Sequence, residues 1–291
     1  MNQKSLYYKP SGSIGPVAIV LSVVFGLIAS LILGTLYGYM IYYLPFIYFN
    51  FIIVILYGFG VGSATGIGAK FGKARNSTVL GLIALCIGVL SFYFGWVSWM
   101  HALTEQNVLK VDLIAVFSKF NPSHVYSMAS DIAQTGAWSI FGWTPKGFSL
   151  YLVWGVESLM IIFLTVVAAV VIIDEPFCER CNTWIQEDST ISPYPFIEDE
   201  ENYKASLEKE GVELVLNQAK LETSEAKFSE YQLFVCKMCN SNQMLTVSNV
   251  ELSLNSEGKE EQAKTEIAKH ILLDKAQIST LKSDPNSDVI S

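Results

Sequence analysis

Four long apolar stretches dominate the first three-fifths of the chain, at residues 17–43, 48–69, 79–101 and 148–173. Each is as long as or longer than the roughly 20 residues that a helix needs to cross a bilayer. The first is too long for the core of a signal peptide and is followed by no small-residue cleavage site, so it reads as an anchor. Leu44-Pro45-Phe46-Ile47 is a tight apolar connection in which Pro45 ends the first helix. The fourth stretch stops at Asp174-Glu175-Pro176. The pattern predicts a four-helix transmembrane domain over 17–173, preceded by a cytosolic segment at 1–16.

Within the apolar stretches small residues fall in rows. Gly26, Ser30, Gly34 and Gly38 repeat every four residues. Gly58, Gly62 and Gly66 form a second row, and Gly60, Ala64, Gly68 and Gly72 a third. Gly81, Gly88 and Gly95 stand seven apart. Lipid supplies no hydrophobic drive for helix association, so close backbone approach through small residues supplies it instead. The rows predict a tight bundle of the first three helices; homo-oligomerisation through the same rows is the alternative. The glycine-rich 58–72 stretch is no phosphate loop, because Gly72-Lys73 is followed by Ala74 and no strand precedes it.

The segment 102–147 is predicted to be an extracytoplasmic loop with its own helix. Asn121-Pro122-Ser123 is a start signal, Val125, Met128 and Ile132 keep helical spacing, and Gly136 is the stop. Trp138, Phe141 and Trp143 follow and suit the outer membrane interface.

Charge changes the picture after residue 173. The chain is 51% hydrophobic and only 16% charged, against about 25% charged in an ordinary soluble domain. Residues 1–173 carry eight Lys/Arg and four Asp/Glu, whereas 174–291 carry eleven and twenty-three. The two segments belong in different environments. The acidic half argues against nucleic acid as a partner and favours a cytosolic protein. Lys4 and Lys9 precede the first helix and Lys70, Lys73 and Arg75 join the second to the third, so both segments are expected in the cytosol, with both termini inside. Asn76-Ser77-Thr78, a glycosylation pattern, then falls on the cytosolic side.

One carboxylate, Glu157, lies about ten residues into the fourth helix. At membrane depth it costs about 2.5–3.5 kcal/mol on insertion scales and is a functional candidate by default. With His101 it forms a candidate intramembrane polar site. With no Lys or Arg in a helix core to pair with it, Glu157 is expected either to be protonated or to accept hydrogen bonds from Ser91, Tyr93, Ser158 or His101, and a small transporter or channel centred on it is one functional alternative. No hydrolase signature is present, and the reading leans away from an enzyme.

Of five cysteines, Cys86 sits inside the third helix as a small apolar residue. The other four form Cys178-Glu179-Arg180-Cys181-Asn182 and Cys236-Lys237-Met238-Cys239-Asn240. Two Cys-x-x-Cys pairs in one domain suit tetrahedral thiolate binding of zinc. Both are followed by Asn, the best substitute for Gly where a knuckle turns left-handed. An iron centre with the same four ligands and thiol–disulfide chemistry, the basis of a membrane redox protein, remain open.

The two knuckles resemble zinc-ribbon domains. That resemblance implies a structural zinc held by Cys178, Cys181, Cys236 and Cys239 within a small α+β cytosolic domain over 174–282. The long gap between knuckles departs from the family, and its Glu, Lys, Leu and Ala content predicts a helical insertion at about 198–232. Residues 245–254 and 265–273 read as a β-hairpin around a turn at 255–258, and 283–291 as a disordered tail. The run from Trp138 to Trp143, leading on to Trp154 and Glu157, resembles uncharacterised bacterial four-helix membrane proteins. This implies a bacterial cytoplasmic membrane and no particular activity. The expectation for function is a non-enzymatic interaction or assembly component.

Overall fold

The computed structural model describes residues 6–44, 47–105, 121–139, 142–221, 226–239, 243–254, 259–274, 276–277 and 281. Pro45, Phe141, Asn240, the turn at 255–258 and the tail at 283–291 lie outside them. The chain divides into two compact units, residues 11–174 and residues 1–10 with 175–291.

The first unit is built from α1 (Pro16–Tyr43), α2 (Ile47–Phe71), α3 (Ser77–Glu105), α4 (Pro122–Thr135) and α5 (Phe148–Ile172). All but α4 are long and apolar enough to cross a membrane. Their faces are sorted by size rather than by polarity. In α1 the buried row is Ala18, Ser22, Gly26, Ser30, Gly34 and Gly38, while Val17, Val20, Val24, Ile28, Ile32 and Leu36 are exposed. Such an outer face suits lipid rather than water, with close packing left to the small residues.

The glycines of α2 divide that helix between two neighbours. A Cβ on Gly58 would lie 2.9 Å from the Ile161 carbonyl oxygen, and one on Gly66 2.7 Å from that of Ala169, both on α5; Gly62 is pressed against Thr165 of the same helix. On the other side Gly60 meets Leu33, Gly68 meets Leu21 and Gly72 meets Ala18, all on α1. Gly26, Gly34 and Gly38 abut α2 or α3, a Cβ on Gly88 would lie 3.1 Å from Ile162, and Gly95 faces Tyr37. A Cβ on Gly81 would make only ordinary contacts, 3.8 Å from Val170 and 4.0 Å from Val166.

Polar side chains in the bundle bond across helices. Ser30 Oγ and Ser91 Oγ are 2.6 Å apart. Tyr57 OH donates to the Ser91 carbonyl at 2.6 Å, and its ring stacks on Tyr37. Thr165 Oγ1 donates to Gly58 O at 3.2 Å, tying α5 to α2. Arg75 is fastened to Ser11 and Ser13, and Asn76 caps α3 through Val79 N while donating to Gly12 O. The segment before α1 and the α2–α3 connection therefore meet at one end of the bundle. The helix α4 begins at its Asn121 cap, which accepts from His124 N, and ends at Gly136 with φ 88°.

The second unit holds a hairpin of β1 (Phe177–Cys178) and β2 (Thr183–Trp184), then β3 (Glu187–Tyr194), α6 (Glu200–Glu210), α7 (Glu213–Leu216), β4 (Lys227–Val235), β5 (Gln243–Leu254) and β6 (Glu260–Leu273). The last four strands form an antiparallel sheet in the order β3-β4-β5-β6. Its principal core joins Ile191, Tyr231, Leu233, Leu245, Val247 and Ile271 to Leu207 and Val215 of the helices. Tyr231 is fully buried and stacks on Tyr194; burial pushes its hydroxyl well above the usual phenol range.

The helical insertion expected at 198–232 is corrected by this arrangement. Helix ends at Leu216, and residues 227–232 belong to β4, a central strand. The Glu and Lys of this stretch favour helix locally, but Tyr231, Leu233 and Val235 alternate and fill the sheet core, and tertiary packing overrides propensity. A further strand-like pairing comes from the opposite end of the chain. Tyr7 bridges Ile271, Tyr8 N donates to His270 O at 2.9 Å, and Leu272 N donates to Leu6 O at 2.9 Å. Residues 6–8 thus cover the β6 edge of the sheet.

Asn249 is the polar pin of this unit. Its Oδ1 accepts from Ile197 N and Ser229 Oγ, and its Nδ2 donates to Ile197 O. Asn249→Ala leaves these buried groups unpaired and is expected to lower stability by about 1–3 kcal/mol, read as an earlier unfolding midpoint of this unit.

Candidate functional site

Each Cys-x-x-Cys pair lies at the tip of a hairpin. Cys178 ends β1, Cys181 lies in the turn to β2, and Asn182 completes that turn at φ 53°, a left-handed conformation that Asn tolerates and most side chains do not. Cys236 follows β4 directly, and Cys239 lies in the turn toward β5. The sheet therefore delivers the second pair, and the short hairpin the first.

The four Sγ atoms lie within 4.8 Å of one another, and Cys178 Sγ is 3.6 Å from Cys239 Sγ. A tetrahedral ion with bonds of about 2.3 Å to sulfur has edges of about 3.8 Å, so the donor set fits one ion of that kind. All four cysteines are free thiols. Cys178 and Cys236 are buried beside Ile185 and Met244, with Phe234 and Tyr8 packed against them. Tyr8 also accepts from Phe177 N at 3.1 Å, so the N-terminal segment reaches the first knuckle.

The thiols make one another hard to ionise. Burial raises Cys178, with hydrogen bonds from Cys236 and Cys239 adding to it. Hydrogen bonding with Cys239, ahead of burial and the other two thiols, pushes Cys181 up to about 12. A divalent cation reverses this by binding the thiolates and releasing their protons. Metal loading is therefore expected to weaken as the pH falls and protons compete for sulfur, which a titration of metal occupancy against pH checks.

Glu157 and His101 are not brought together. His101 Nδ1 lies 2.9 Å from Tyr39 OH, and His101 is absent from the lining of the cavity that Glu157 helps to form. Three of the donors expected for Glu157 are engaged elsewhere: Ser91 with Ile87 and Ser30, Ser158 with Gly155, His101 with Tyr39. Sequence reasoning missed Asn50, a lone amide in the apolar run Tyr48-Phe49-Asn50-Phe51, whose Oδ1 is buried without a hydrogen-bond partner beside the same cavity. Its polarity in that run was the available signal. Tyr8 was missed as well, since its partners lie more than 160 residues away.

Comparisons with protein-family models, curated proteins and solved structures found no match to this chain.

Proposed function

We propose that this chain is a non-enzymatic, multi-pass membrane protein whose zinc-ribbon-like domain is organised around one structural zinc and docks a cytosolic protein. The gathering of Cys178, Cys181, Cys236 and Cys239 carries this reading. Two tight turns bring four soft ligands together with spacing suited to zinc. At the knuckle tips Glu179, Arg180, Lys237 and Met238 are all exposed, Met238 by 74%. Metal-fixed turns would hold these side chains in one arrangement for a partner at low entropic cost.

Four spans and the pairing of residues 6–8 with β6 support an even number of crossings, with both ends on one side. The Lys/Arg bias makes that side the cytosol, in the cytoplasmic membrane of a bacterium. A fluorescent protein fused after Ser291 should therefore glow, and an alkaline phosphatase inserted in the 102–147 loop should be active. The reverse pair of results would invert the topology.

Docking is tested by affinity capture of the tagged full chain from solubilised membranes. A partner recovered with the wild type should be lost with Cys178→Ser. It should be weakened by Met238→Asp, which leaves the metal ligands intact. Equal recovery with all three proteins would sink the docking reading.

A further inference from the structure

The helical unit contains a cavity of about 290 Å³, near the lower end of the roughly 300–1,000 Å³ usual for ligand pockets. It lies where α1 ends and α2 begins, beside the last turns of α3 and the first half of α5. Four of the six tryptophans in the chain line it: Trp96, Trp99, Trp138 and Trp154. Two acceptors join them, the Glu157 carboxylate and the unpartnered Asn50 Oδ1. Among the described residues no Lys, Arg or His lines the cavity, and none engages Glu157 in a hydrogen bond or ion pair. The described wall therefore offers a carboxyl group, an orphan acceptor and indole faces, without a cation of its own.

That combination selects its occupant. A carboxylate at membrane depth is costly until a positive charge meets it. Tryptophan is the side chain whose face attracts cations best, most strongly where water is excluded. A small inorganic cation would need more oxygen ligands than two acceptors supply. An ammonium group on an apolar body satisfies both: the charge faces Glu157, an N–H reaches Asn50 Oδ1, and the body fills the indole box. The rim points the same way. Phe51, Leu152 and Val156 line the cavity yet remain 49%, 54% and 53% exposed, so its edge on α2 and α5 is apolar. A ligand that partitions into lipid enters across such a rim.

We infer that this cavity is a binding site for a hydrophobic ammonium cation bearing an N–H, with Glu157 as counter-ion, Asn50 as hydrogen-bond acceptor and the four tryptophans as walls. The site is separate from the cysteine cluster and does not depend on the docking reading.

The test uses the full chain in nanodiscs of neutral phosphatidylcholine, with binding followed by tryptophan fluorescence and calorimetry. The probes are phenethylammonium, benzyltrimethylammonium and the neutral 2-phenylethanol. Phenethylammonium should bind saturably and at least tenfold more tightly than 2-phenylethanol. Glu157→Gln should weaken it about tenfold. Asn50→Leu should remove its advantage over benzyltrimethylammonium. Trp138→Leu, outside the helices, should weaken both cations several-fold and keeps the test decisive if a helix variant fails to fold. Equal binding of 2-phenylethanol, unchanged affinity in Glu157→Gln, or no saturable binding of phenethylammonium would each overturn the inference. The first of these would mark the cavity as a seat for any apolar molecule, a lipid chain included.

Discussion

Removing the metal from the full chain with a thiol-competing chelator is expected to lower the melting temperature of the sheet unit by roughly 12–20 °C. The helical signal of the membrane unit should remain. A ligand at a thousand times its dissociation constant stabilises the state that binds it by about 4 kcal/mol, and each kcal/mol is worth about 3–5 °C in a domain of this size. The unit has two cores of different strength. Among the described residues the sheet and its helices share a broad core around Tyr231, Leu233 and Leu245, which needs no ion. The cysteine end has a smaller core among the described residues, Cys178, Ile185, Cys236 and Met244, with Phe177 buried against Trp184 beside it. Its β1–β2 hairpin pairs two residues with two, too few to persist alone. Loss of metal should therefore melt the knuckles first. Hydrogen exchange would then show early loss of protection at 177–184 and 235–243, with β5 and β6 protected longest. Cys178→Ser should reproduce the same order.

The second large effect belongs to α2. Replacing Gly62 or Gly66 by Leu is expected to drop the melting temperature of the detergent-solubilised chain by about 10 °C or more, or to prevent a monodisperse preparation. A Cβ at Gly66 would meet the Ala169 carbonyl oxygen at 2.7 Å, and one at Gly62 the backbone of Thr165. These obstacles are backbone, so no rotamer change relieves them and the two helices must separate. Separation also stretches the bond from Thr165 Oγ1 to Gly58 O. Gly155→Leu is the matched control: it too lies in a spanning helix, but nothing stands within 4 Å of its Cβ position. Its melting temperature should stay close to that of the wild type. Equal losses at Gly62 and Gly155 would mean that leucine disturbs insertion in general and not the α2–α5 contact.

How much of this was legible in the sequence depended on the range of the interaction. The four spans announce themselves because each is a continuous local property, and the start of α4 at Asn121-Pro122 is equally local. The cysteine spacing points to a tetrahedral cluster because ligand geometry constrains neighbours three residues apart. Strand β4 was misread because Lys227, Ser229, Glu230 and Gln232 resemble a helix surface; the alternation of Tyr231, Leu233 and Val235 is outvoted until a sheet exists to bury it. Strand β3 is obscured by Pro193 and by register shifts after Glu187 and after Ile191. The bridge from Tyr7 to Ile271 left no local trace. The cavity is hidden for a similar reason. Glu157 stands out by its charge, but Asn50, Trp96 and Trp154 are supplied by three different helices and meet only in the folded bundle.

Metal content, counted together with thiols on the purified full-length chain, tests the central claim most directly. One zinc per chain is expected, with four of the five cysteines blocked to alkylation until chelator is added, and with no zinc retained by Cys236→Ser. A metal-free protein, or one carrying disulfides between these cysteines or a coloured iron centre in place of zinc, would contradict it.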